Sequence, residues 1–246
     1  MILVAGVSAV FVLNSLAYLA FFVALMRLAS DRKPKSDRGT NMLTEAIEAL
    51  TIIRADSGVR FMMLLMAVSG FFVRPVMEFL PAFSTQVFNG GPGTVSTLLS
   101  TLGFGAMTAG LWLARRGQLE GLTRLVVNAH LGCALAGVIF AFVGQFWLAL
   151  IFFCGYGFFL PICNIGAQTL VQAAVTGPVR SRIMSIYMII SFGMPALGAL
   201  LEGWLATYAG LGPTVGGFAG IAALWWLWAR GRGKELTREL ERAEEG

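Results

Sequence analysis

The chain has 246 residues, 57% of them hydrophobic and only 13% charged, with a formal net charge of +5. A mean hydropathy of +0.76 excludes an ordinary soluble domain and predicts a polytopic membrane protein. The basic excess lies in short polar segments suited to anionic lipid, so the lipid bilayer is an expected partner and nucleic acid is not.

Read with a window of about 19 residues, apolar spans fall at 1–28, 59–88, 93–114, 122–144, 146–175, 182–208 and 212–229. The predicted fold class is an all-α membrane protein of about seven transmembrane helices. Several spans exceed the ~20 residues that cross a ~30 Å hydrocarbon core, which predicts tilt or kinking. Span 1–28 has no charged leading region and no small-residue cleavage site, so it reads as a span and not as a signal peptide.

Residues 29–58 form a linker. "SDRKPKSDRGT" is polar and broken by Pro34 and Gly39. "NMLTEAIEALTIIRADSG" places Leu43, Ile47, Leu50 and Ile53 on one helical face and Thr44, Glu45, Glu48 and Thr51 on the other. That pattern predicts an amphipathic helix at the inner interface. Residues 59–229 then form a six-helix unit of their own, and 230–246 a cytoplasmic tail.

Orientation follows the basic residues. They cluster at 27–60, at Arg115, Arg116 and Arg124, at Arg180 and Arg182, and from Arg230 onward, whereas "FNGGPG", "VGQFW" and "YAGLGP" contain none. The positive-inside rule puts the basic side in the cytoplasm, with the N-terminus outside and the C-terminus inside. Trp112, Trp225, Trp226 and Trp228 fall near the inner interface, Trp147 and Trp204 near the outer one. The single basic residue that departs from this map is Arg74.

Arg74 and Glu78 lie one turn apart in "FFVRPVMEFLP". A charge at the bilayer centre costs at least ~2.5 kcal/mol on insertion scales and usually faces a bundle interior or wet cavity. Two readings stand: a structural ion pair between side chains at i and i+4, or a pair lining a transport cavity, with Glu78 exchanging a proton when its contact with Arg74 weakens. Pro75 removes a backbone donor and kinks the helix beside them. Asn164, Gln168 and Gln172 follow Pro161 on one face, and Tyr187, Ser191 and Pro195 share another; each set either faces a cavity or bonds across helices. Glu202, beside Trp204, is expected at the outer interface. His130, the one histidine, is expected as a packed residue. Gly103, Gly105 and Gly110, and Gly212, Gly216 and Gly220, offer close-packing faces.

Cys133, Cys154 and Cys163 have no metal-ligand or redox spacing, so no cofactor or metal is expected. No protease or hydrolase motif falls in a span, which argues against an enzyme. A retinal protein is excluded because Lys33, Lys35 and Lys234 are the only lysines. A seven-helix receptor-like protein and a non-transporting membrane fragment remain as alternatives.

The six spans behind a basic linker resemble the C-terminal half of a major facilitator superfamily transporter, with 1–28 similar to the last helix of the N-terminal half. "GLWLARRG" matches the superfamily's G-x-x-x-D-R-x-G turn at Gly110, Arg115 and Gly117, and departs from it at Ala114, where the pattern has aspartate. "RSRIMSIYMIISFGMPALGALLEGWLA" and "VRPVMEFLPAF" are similar to the transmembrane secretion effector branch, which includes an enterobactin exporter. The resemblance implies a proton-driven efflux transporter in a bacterial inner membrane, acting on a small molecule such as a siderophore or drug-like compound. It also implies a missing N-terminal half as partner, because superfamily sites lie between two halves. The candidate substrate or proton pathway is Arg74, Glu78, Asn164, Gln168, Tyr187 and Ser191, with Gly110, Arg115 and Gly117 as the conformational motif.

Overall fold

The computed structural model describes residues 12, 15, 16, 18–23, 42–175, 177 and 179–241. The chain divides into two compact units, Met1–Thr40 and Asn41–Gly246. In the first, every described residue is helical; the rest of the span expected at 1–28, and the linker from 29 to 40, lie outside the described residues.

In the second unit the helices are α1 (Met42–Ala55), α2 (Ser57–Phe72), α3 (Leu80–Gln86), α4 (Pro92–Arg116), α5 (Leu122–Phe142), α6 (Phe146–Ala174), α7 (Val179–Ala209) and α8 (Leu211–Glu241), with a 3-10 turn at Arg74–Met77 between α2 and α3. Among the described residues six helices are long and apolar enough to cross a membrane. Their outer faces carry Phe104, Leu111, Ile151, Ile189, Leu224 and Leu227, all exposed. Such surfaces are stable only with hydrocarbon as the solvent, and the protein is an all-α, multi-pass membrane protein.

α1 forms where expected, but only part of its apolar face is covered. Ala49 and Ile53 are buried, whereas Ile47 and Leu50 stay exposed. The Glu48 carboxylate meets the Arg182 guanidinium at 2.6 Å, tying α1 to the start of α7. Asp56 separates α1 from α2 and caps the latter, its Oδ1 accepting from the Val59 amide at 2.8 Å and so satisfying one of the orphan donors of the first turn.

The span expected as one element at 59–88 is three. Pro75 has no N–H, and its ring conflicts with a helical carbonyl four residues earlier, so α2 stops at Phe72. A 3-10 turn follows, closed by the Glu78 amide donating to the Pro75 carbonyl at 2.9 Å. α3 then starts with Pro81 in its first turn, a position where the missing donor costs nothing.

α4 ends on Gly117, whose φ of 59° is the left-handed conformation that closes a helix. α4 crosses α6 with backbones in contact: a Cβ on Gly105 would overlap the Cys154 carbonyl, and one on Gly157 the Leu102 carbonyl. Of the α4 glycines expected to pack closely only Gly105 does so, since Gly103 and Gly110 face open space. α5 is the central helix, packed along its length on α6 and α8. His130 is buried there, its Nε2 3.3 Å from the Ala222 carbonyl and its ring edge-on to Trp225, a packed residue as expected. The core has one cluster around Met62, Leu65, Val126, Leu170 and Ile183 and another around Phe83, Phe140, Phe153 and Tyr156. α4 and α7 are the least enclosed spans, with 17% and 22% of their apolar windows buried.

Candidate functional site

Two prolines build the site. A helical carbonyl normally accepts from the amide four residues on; Pro195 has no amide, so inside α7 the Ser191 carbonyl lacks its helical donor. Pro75, by breaking α2, turns Arg74 toward α7. The Arg74 guanidinium donates to the freed Ser191 carbonyl at 2.8 Å. A charge-assisted bond of this kind offsets part of the cost of holding the guanidinium inside an apolar bundle.

The break is held from the other side by Tyr156 of α6, which is buried and donates from its hydroxyl to the Val73 carbonyl at 3.0 Å. Against the outside of the break lies Gly198, where a Cβ would overlap the Phe71 carbonyl, the carbonyl four residues before Pro75. Each proline thus leaves a carbonyl that a specific neighbour on another helix meets.

Arg74 and Glu78 do not form the ion pair that an unbroken helix would allow: the turn between them is 3-10, Arg74 bonds to Ser191, and no oxygen of Glu78 comes within ion-pair distance of it. They do line one cleft of about 650 Å³, together with Ser191, Pro195 and an apolar wall from Phe79, Phe192, Ala196, Ala199 and Leu200. Glu78 is exposed in it and Arg74 half-buried.

Beside this cleft Tyr187, one turn before Ser191, donates from its hydroxyl to the Asn164 carbonyl at 3.0 Å. Asn164 Oδ1 and Ser191 Oγ are buried without a hydrogen-bond partner. Arg74, Ser191, Tyr187 and Asn164 are therefore one polar patch between the turn, α6 and α7. Gln168 is half-buried one turn further along α6 and is not part of the cleft lining. Gln172 is occupied, accepting from Arg180 at 3.0 Å.

The turn expected as the conformational motif lies elsewhere. Gly110 and Gly117 line a second cleft, of about 360 Å³, with Ala114, Leu119, Leu122 and Gly166, and Arg115 is exposed in the last turn of α4. Arg116 closes the following loop by donating to the Glu120 carbonyl at 2.6 Å. Cys133, Cys154 and Cys163 are free thiols, and among the described residues no group of three or more His, Cys, Asp or Glu is placed to hold a metal ion.

Glu202, expected at the outer interface, is 1% exposed and packed inside the bundle, beside the exposed Trp204. The signal was present in the sequence: the buried residues of α7 are Ile183, Tyr187, Ser191, Gly198 and Glu202, a helical stripe that carries Glu202 to the same side as Tyr187 and Ser191.

A family model described as transmembrane secretion effector matches residues 1–230. No curated protein and no solved structure matches the chain.

Proposed function

The chain belongs to the transmembrane secretion effector family of major facilitator transporters, and on that premise we propose that residues 59–229 are the C-terminal half of a proton-driven exporter of small amphipathic molecules. In this reading 1–28 corresponds to the last helix of the N-terminal half, 29–58 is the connecting segment and 230–246 a tail. The protein sits in a bacterial inner membrane with its basic side cytoplasmic, its N-terminus periplasmic and its C-terminus cytoplasmic.

The observation that carries the proposal is the cleft. It sets a guanidinium and a carboxylate, not paired with each other, against an apolar wall. Intramembrane charges of this kind mark substrate and ion pathways, and an amphipathic substrate needs both a polar anchor and an apolar surface. Arg74, Glu78 and Ser191 are the substrate or proton contacts; Tyr187, Asn164 and Gln168 extend the polar surface toward the basic end. The low burial of α4 and α7 supports a facing half across them, as sites in such transporters lie at the interface of two pseudo-symmetric halves. A siderophore of the enterobactin kind and a drug-like compound both fit this chemistry.

The test is efflux of a panel of amphipathic fluorescent dyes from cells and proteoliposomes under an imposed pH gradient. The chain expressed alone inserts and exports nothing; joined to an N-terminal half of the same family, it exports dye as the gradient discharges. Export by the chain alone contradicts the half-transporter reading. Export indifferent to the gradient contradicts proton coupling.

A further inference from the structure

Glu202 is a membrane-embedded carboxylate to which the cleft gives no role. It is 1% exposed, and its Oε2 has no hydrogen-bond partner. Its neighbours along α7 press on the break between α2 and α3. Gly198, one turn earlier, meets the Phe71 carbonyl and the Pro75 ring, and a Cβ on Gly203 would stand 3.6 Å from the Phe79 ring.

The charged and titratable groups on the elements packed against it are few. The turn contributes Arg74, committed to the Ser191 carbonyl, and Glu78, exposed in the cleft. α6 contributes Tyr156, committed to the Val73 carbonyl, and the free thiols Cys154 and Cys163. α2 carries only Arg60, in its first turn; the membrane part of α8, Leu211 to Ala229, carries none. The Glu48–Arg182 pair lies at the opposite, basic end of α7. Among the described residues no basic side chain forms an ion pair with Glu202. An isolated ionised carboxylate in an apolar interior is so costly that the group takes up a proton instead, and a neutral acid needs fewer partners than a carboxylate.

We propose that Glu202 is a buried proton-binding site separate from the Arg74–Glu78 cleft, loaded in the conformation described here. Movement of α7 against the helix break opens it to water and releases the proton. Because Glu202, Gly198 and Ser191 share one stripe of α7, that movement also stretches the Arg74 bond to Ser191, linking proton release to the cleft. The link to export rests on the proton-driven reading above; the proton occupancy does not.

Two measurements on the purified full chain in nanodiscs test it. Dicyclohexylcarbodiimide adds across the O–H of a protonated carboxylic acid in an apolar site, with no leaving group, and the adduct is located by mass spectrometry. It is expected on Glu202 at neutral pH and lost at alkaline pH. Infrared difference spectra between neutral and alkaline buffer, where ordinary carboxylates stay ionised, are expected to show the carbonyl band of a neutral acid, absent in Glu202→Gln and retained in Glu78→Gln. An unlabelled Glu202, or a band unchanged in Glu202→Gln, overturns the inference. Labelling uses the wild-type chain, so it decides even where the variant fails to fold. A labelled Glu202 together with gradient-independent efflux removes the transport reading and leaves the proton site standing; proton-driven efflux with an unlabelled Glu202 removes this inference alone.

Discussion

The guanidinium of Arg74 reaches across the bundle to the main-chain carbonyl of Ser191, 2.8 Å away, and that carbonyl is open because Pro195, four residues on, has no amide to give it. A proline in one helix thus creates the acceptor, and a proline in another delivers the donor.

The relationship predicts a coupling. Arg74→Ala removes a hydrogen bond to a charged donor, a loss of about 1.5–3 kcal/mol. Pro195→Ala restores a helical amide to Ser191, so in that background the same Arg74→Ala change costs less. Thermal unfolding of the four proteins in detergent is expected to give a coupling of at least about 0.5 kcal/mol; strict additivity contradicts the shared carbonyl.

Glu78 has no ion-pair partner among the described residues and is exposed. Glu78→Gln is therefore expected to keep folded yield and melting behaviour within about 0.5 kcal/mol of the parent, as surface substitutions do. A loss as large as that of Arg74→Ala would show that the two side chains do pair.

The α4–α6 crossing has no room for a side chain. Gly105→Ala and Gly157→Ala push a methyl into a carbonyl and are expected to cost about 1–3 kcal/mol. Gly103→Ala, in open space on the same helix, is expected to be neutral or slightly stabilising, since alanine is the better helix former. Fluorescence-detected size-exclusion after a heat step ranks the three; equal losses contradict the crossing.

The Glu48–Arg182 pair is a half-exposed contact, its side chains 50% and 35% exposed. Glu48→Gln is accordingly expected to cost no more than about 1 kcal/mol, with the difference shrinking at high salt. A larger, salt-independent loss would mean that the pair is shielded from water.

Much of this architecture was legible in the residues. Five of the spans follow hydropathy alone, because a run such as "LVVNAHLGCALAGVIFAFV" has nowhere to go but the bilayer. Part of the polar patch was legible as spacing, Tyr187 with Ser191; that Asn164 joins them, accepting from Tyr187, was not. Two further features were not legible. The apolar run 59–88 hid a break because hydropathy is blind to backbone donors, and the consequence of Pro75 and Pro81 is a change of hydrogen bonding. The burial of Glu202 was missed because its neighbour Trp204 suggested an exposed interface, although the α7 stripe through Tyr187 and Ser191 already led to it. Partners four residues apart on one helix are readable; those that meet across helices, as Arg74 meets Ser191, depend on packing.

The most direct test of the transport site is a four-way comparison in the protein with both halves present: wild type, Glu78→Gln, Arg74→Ala, and the double change of Arg74 and Glu78 to apolar residues. Because Arg74 is bonded to the Ser191 carbonyl and not to Glu78, the double variant is expected to fold as Arg74→Ala does, and each activity is therefore normalised to folded protein. Dye efflux under a pH gradient, divided by folded protein, should be lost in both Glu78→Gln and the double variant. Full efflux per folded double variant would contradict the account, because the cleft would then carry no charge that transport requires.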